Sequence, residues 1–431
     1  MPSACLRQSR SLCRPRLTFS GFREFCRNQV KPDLVRHNHT ERSAATLSKD
    51  LQRTEFDIHG VLGVALVDPS SADVKAVIKH LGPLRGPLLR EPDITIRFDK
   101  NLAPLCLRHL GQKQNAFTDD AFFVFDETDR SAMAKIPFDQ VGSRCEIVCT
   151  RSRGSMPLLV PLLSLIALAK GFVAVHASAF VHRGVGILMA GWAGSGKTTA
   201  LLGFASEGAE FIGEEWVLLS GDGQTMCGLP REIELSPAHL DTVPEVRRAI
   251  KRSRLWGFES LRHLTTMQDL LPRKADGTTP AKALRKVISA AQRRILPTVR
   301  PQALFGDRVA SLTARPDKVF LLISHDDRNV EIIPTPPREM ARRIAHMMQY
   351  EQRRFMEHYL AFQFAFPERK NAFVEESSSY RYELLLSALQ GKETYTVRHP
   401  HPIAFSSLYE AVKPFCGTTK SIQTEVVCAV P

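Results

Sequence analysis

Eight residues, Gly191, Trp192, Ala193, Gly194, Ser195, Gly196, Lys197 and Thr198, fit the spacing G-x-x-x-x-G-K-[ST]. In this pattern the glycines let successive backbone N–H groups turn inward around a phosphate, and the geometry needs a strand before the loop and a helix after it. The neighbours supply both. "GVGILMAG" (184–191) is a short apolar run suited to a buried strand, and "TTALLGFASEG" (198–208) has helical spacing and ends at a glycine. The motif therefore predicts an α/β core with a nucleotide at the loop. Backbone from Gly191 to Thr199 would surround the phosphates, with Lys197 on the β and γ oxygens and the Thr198 hydroxyl on Mg2+. A helix opening at about Lys197 would aim the positive end of its dipole at the anion. No N-K-x-D pattern for guanine is present, which leaves ATP as the expected nucleotide.

At 431 residues the chain exceeds one ordinary core and suggests several compact parts. The formal charge of +13 is unevenly placed. From Pro244 to Arg300, 14 Lys and Arg stand against 4 Asp and Glu, and the first 31 residues carry 7 against 1, so the remainder is slightly acidic. The expected organisation is a disordered basic leader (1–54), a small β-rich part (55–153) and a P-loop core (154–240). A basic helical insertion or lid (241–303) and a C-terminal α/β part completing the core (304–431) follow. The β-rich part rests on the runs "GVLGVALVD", "DITIRF", "AFFVFDE" and "CEIVCT", with one helix at "SADVKAVIKHL". The last part opens on the strand-like "DKVFLLISH", followed by an amphipathic helix from about Arg338 to Ala361. The leader has the Arg- and Ser-rich composition of a transit peptide; a disordered tail or an over-called start codon suits it at least as well. "SMPLLVPLLSLIALAKGF" is too short to cross a bilayer and reads as a buried core helix.

The basic segment is read first as a solvated helical face, with capping of the nucleotide or grip on an acidic protein partner as the alternative. Nucleic acid is not expected: no aromatic residues interleave with the charge, and no zinc-finger, homeodomain or RNP pattern occurs. Nine scattered cysteines without any C-x-x-C fit reduced thiols in a cytoplasmic protein.

A phosphate cradle alone does no chemistry; something must hold the metal and something must take a proton. Asp326 or Asp327, after "VFLLISH", occupies the place of an ordinary Walker-B acid. Nearer are Glu214 and Glu215, 17 and 18 residues after Lys197 in "AEFIGEEWVLLS". One strand–helix–strand unit returns the next strand beside the loop, so these carboxylates can divide the work, one as general base and one beside the metal. His176, in "AVHASAF", is by itself more readily a core histidine than a ligand.

Taken together, "HASAFVHRGVGILMAGWAGSGKTT" and "GAEFIGEEWVLL" resemble the catalytic domain of HPr kinase/phosphorylase and its kinase-like relatives, a P-loop fold akin to phosphoenolpyruvate carboxykinase. The likeness covers roughly Gly171 to Leu219. It implies Lys197 on the phosphates, Thr198 on magnesium, Glu214 as the base that activates a hydroxyl, Glu215 beside the metal and His176 near the transferred phosphoryl group. The family's acid pair is normally aspartate, and each Glu adds a methylene, a displacement large enough to alter rate or acceptor. Two functions are therefore expected in competition. One is an ATP-dependent kinase acting on a hydroxyl of an unidentified protein, peptide or small molecule. The other is a nucleotide-binding accessory protein with weak or no transfer.

Overall fold

In the segment 145–150 alternate residues Cys145, Ile147 and Cys149 are buried while Glu146 faces solvent, the period-2 pattern of a strand covered on one side. A computed structural model describes residues 52–100, 102, 108–110, 115–126, 131–235, 239, 298–309 and 311–417. Residues 1–51 of the expected leader and 241–297 of the expected lid lie outside the described residues; the last residues of each, 52–54 and 298–303, are described.

The first sheet has eight strands: β1 (Arg53–Ile58), β2 (Leu62–Val67), β3 (Ile94–Asp99), β4 (Arg108–Leu110), β5 (Asn115–Phe117), β6 (Ala121–Phe125), β7 (Ala132–Pro137) and β8 (Cys145–Thr150). Their spatial order is β1-β2-β3-β8-β7-β6-β5-β4. The step from β2 to its parallel neighbour β3 is a crossover through helix α1 (Ser71–Leu81). Ser70 and Asp73 form a capping box at its start, so "SADVKAVIKHL" is helical from end to end.

The second sheet contains β9 (Phe172–His182), β10 (Val185–Gly191), β11 (Glu210–Gly213), β12 (Trp216–Ser220) and β13 (Met226–Gly228). A two-stranded pair, β14 (Ile233–Glu234) with β15 (Thr298–Val299), stands apart. The second sheet is completed by β16 (Thr313–Ala314), β17 (Lys318–His325), β18 (Glu331–Pro334) and β19 (Glu393–Pro400). The order is β16-β13-β12-β9-β10-β17-β19-β18, with β11 also paired to β9. Strands β10, β17 and β19 are parallel neighbours; β9 and β12 run antiparallel, so the sheet is mixed.

Helices α2 (Leu159–Ala169), α3 (Lys197–Ser206), α4 (Pro301–Phe305), α5 (Pro337–Glu351), α6 (Arg353–Ala365), α7 (Ala372–Leu389) and α8 (Phe405–Val412) accompany these strands. The apolar run before β9 is α2, whose residues from Leu162 to Leu168 are all buried, as a helix enclosed on every side requires. Ile187 and Met189 of β10, Phe320 and Leu322 of β17 and Val397 of β19 bury against Leu201 and Phe204 of α3 and Leu408 and Tyr409 of α8. Leu188 and Ala190 point the other way and are equally buried. Helix α5 packs on β9, β10 and β19, with α7 alongside it.

The single helix expected from Arg338 to Ala361 is two, separated at Gln352. That side chain is buried, and its amide Nε2 donates to the Pro161 carbonyl at 3.4 Å, which turns the junction inward toward α2. Beyond it α6 leaves the second sheet and covers the first. Phe362 stacks on Phe138 at 4.2 Å, Tyr359 on Phe138 at 5.2 Å, and Phe355 meets Phe122 edge-on at 6.2 Å. The described residues thus form one compact α/β unit. Among the described residues no helix is long and apolar enough to cross a membrane. Cys145, Cys149, Cys227 and Cys416 are free and buried, and burial pushes their thiols up to about 12, 12, 11 and 12 respectively.

Candidate functional site

The loop that follows β10 sits at the carboxyl end of the parallel strands, where open α/β sheets place their ligands. Two of its glycines, Gly194 and Gly196, have φ of 78° and 90°, a left-handed backbone that a side chain would strain. Gly196 also lies against His399, whose Nε2 is 3.0 Å from where a Cβ would stand. His399, wholly buried near the end of β19, rests under the loop with Nε2 2.8 Å from the Ser195 carbonyl and Nδ1 2.8 Å from that of Pro400. The helix α3 opens at Lys197 with Gly196 as its cap, as the motif requires.

Lys197 is 6% exposed, and its Nζ donates to the carbonyls of Gly191 and Trp192, each at 2.8 Å. Burial lowers its pKa from 10.5 to about 8, against the opposing pull of Glu214 and Glu351. Thr198 Oγ1 donates to Glu214 Oε1 at 2.6 Å. Glu214, 8% exposed, lies between the end of β11 and the start of β12, outside both strands, and so is free to reach across to the loop. Thr199 Oγ1 is 2.9 Å from His239 Nε2, a histidine whose pKa burial lowers to about 4.

Glu215 goes elsewhere. It has φ of 71°, and this left-handed residue turns its carboxylate to the guanidinium of Arg231. Arg231 is itself buried, and its Nε donates to the Lys79 carbonyl at the end of α1, 3.0 Å away. The adjacent acids therefore part company, Glu214 to the loop threonine and Glu215 to the contact with the first sheet's helix. Asp326 and Asp327 are exposed beyond the end of β17, where the Asp327 N–H donates to His325 Nδ1 at 2.9 Å.

His176 lies one residue past the last β9–β10 pair, Ala177 opposite Ala190, which brings it level with the start of the loop. Its ring stacks on Trp216 with centroids 5.7 Å apart, and its Nδ1 is 3.2 Å from Glu351 Oε1. Glu351 is the last residue of α5. The hydrogen bond with His176 leads the effects that hold its carboxyl below the usual range, while burial opposes them and Lys197 adds to them. Tyr350, beside it, meets Trp192 of the loop edge-on at 4.6 Å and carries the Arg353 guanidinium on its ring at 4.0 Å. Trp192 and Tyr350 are 45% and 46% exposed and form one wall of the loop's mouth.

The expected residues Lys197, Thr198, Glu214 and His176 are thus brought together around Gly191–Thr198. Glu351, Tyr350, His399 and Arg231 join the site or its frame without having been expected from sequence. Glu351 had one available signal: an acid at the carboxyl end of a helix opposes the dipole and asks for a partner. Among the described residues no cluster of three or more His, Cys, Asp or Glu side chains could hold a metal by itself. No protein-family model matches the sequence, and no curated protein is similar to it.

Proposed function

We propose that this chain is an ATP-dependent P-loop phosphotransferase of the HPr kinase type, moving the γ-phosphoryl group to a hydroxyl of a protein, peptide or small molecule. The observation that carries the reading is the 2.6 Å contact between Thr198 and Glu214 beside a buried lysine at a strand–loop–helix junction. A hydroxyl and a carboxylate are hard oxygen donors, suited to a Mg2+ ion that completes its shell with water and phosphate oxygens. On this reading Thr198 and Glu214 hold the metal, Lys197 turns from the loop carbonyls to the β and γ oxygens, and the loop amides and the start of α3 hold the remaining charge. The order of histidine, second strand, P-loop and acids in the sequence, which is that of the resembled pattern, also supports the reading.

A second reading, an accessory protein in which nucleotide binding is the signal, is favoured by the capture of Glu215 by Arg231. That contact leaves one of the two adjacent carboxylates at the loop where the resemblance implies both. Magnesium-dependent γ-phosphate release and transfer, with cell lysate as acceptor source and Lys197→Ala as control, separates the two. Label transferred to a product and lost in Lys197→Ala is the expected result. Tight ATP binding with neither release nor transfer would select the accessory reading.

A further inference from the structure

Phosphoryl transfer to a hydroxyl requires a proton acceptor, and the carboxylates nearest the loop are already engaged. Glu214 accepts the Thr198 hydroxyl, and Glu215 is paired with Arg231. The remaining basic group at the loop's start is the imidazole of His176, and its surroundings are those of an oriented base. Nδ1 faces Glu351 Oε1 at 3.2 Å, and an ionised carboxylate accepts only, so Nδ1 carries the hydrogen and Nε2 keeps its lone pair. Among the described residues no hydrogen bond occupies Nε2, and the atom is not sealed from solvent. Trp216 holds the ring plane by stacking, and the His176 backbone N–H donates to Met348 Sδ at 3.3 Å, which ties β9 to the helix that carries Glu351. The charges facing the pair are Lys197 from α3 and Arg353 from α6, both cations beside Glu351.

We propose that His176 and Glu351 form the proton-accepting dyad of this site, His176 touching the acceptor hydroxyl and Glu351 acting through it as a positioning residue. The inference rests on the phosphotransferase reading above. Nε2 of His176 takes the hydroxyl proton as the acceptor oxygen bonds the γ-phosphorus. The bond from that phosphorus to the β–γ bridging oxygen breaks, and its electron pair leaves with ADP. The imidazolium that forms lies against the Glu351 carboxylate, with Nδ1–H still donating.

The test uses the full chain with Mg2+ and ATP, water serving as the acceptor, and reads γ-phosphate release at neutral pH. Glu351→Gln should lower kcat about 100-fold and leave the KM for ATP within about twofold. His176→Gln should lower kcat at least as far. A second measurement, 15N shifts of the His176 ring, should find Nδ1 protonated in the wild type and a mixture of tautomers in Glu351→Gln. An Nε2–H tautomer in the wild type overturns the dyad, as does turnover that needs Lys197 yet keeps its rate in Glu351→Gln. Turnover indifferent to Lys197→Ala, or ATP binding without any release, overturns the phosphotransferase reading and the dyad with it.

Discussion

Lys197 is a cation placed where only an anion makes it comfortable. Its pKa of about 8 in the folded chain is below the 10.5 of the free side chain, because burial penalises the ammonium. The folded state therefore binds fewer protons than the unfolded one between those values, and this group's contribution to stability improves as pH rises through that window. Phosphate oxygens reverse the preference by favouring the ammonium. Binding of Mg-ATP at pH 8.5 should accordingly take up roughly half a proton or more, measured by calorimetry in buffers of different ionisation heat. Lys197→Ala should take up none at that site. The loop residues and Glu214 were legible in sequence because their chemistry is tied to consecutive positions and to one strand–helix–strand step. Glu351 and His399 reach the site only through tertiary packing, at separations of 175 and 204 residues from the partners they meet, and Arg231, 16 residues from Glu215, is tied to α1 across 152. No local pattern encodes such distances.

Among the elements, those whose punctuation is local were readable and those shaped by a neighbour were not. The capping box set the start of α1, and alternation or apolar runs marked β8, β10 and β17. Gln352, by contrast, breaks a continuous amphipathic pattern because its side chain reaches Pro161 on another helix. The strand β10 carries a similar tertiary constraint at Gly186. A Cβ there would stand 1.8 Å from the Arg315 carbonyl oxygen, and the same glycine exchanges hydrogen bonds with Asp317, its N–H to Oδ2 at 2.9 Å and its carbonyl to the Asp317 N–H at 2.8 Å. Main chain cannot yield as a flexible side chain does. Gly186→Ala should cost about 2–3 kcal/mol, read as a lower urea midpoint with unchanged slope.

For the whole molecule, several contacts join the two sheets. Among them are the polar contact of Glu215, Arg231 and the end of α1, the ion pair of Lys170 with Asp93 at 2.7 Å, and the aromatic layer under α6. Arg231→Ala should destabilise the fold by roughly 2–3 kcal/mol, since it strips partners from a partly buried carboxylate and a helix end. Mg-ATP affinity, measured by calorimetry, should stay within about threefold, because Glu215 does not reach the loop threonine. A loss of affinity matching the loss of stability would place Glu215 in the site after all. The α/β class and the strand–loop–helix junction around residues 185–206 were legible from the sequence. The turn of α6 away from the second sheet to cover the first was not, because its apolar face says that something is covered without saying what.

That arrangement bears on how the chain is made. The first sheet has all its strands once Thr150 has left the ribosome, yet the rings of Phe117, Phe122 and Phe138 wait for α6, which begins at Arg353, roughly two hundred residues later. At the usual pace of translation that interval is on the order of 10–40 s. During it a half-sealed sheet with an aromatic face is presented to the cell, and folding to the end is decided by the last third of the chain.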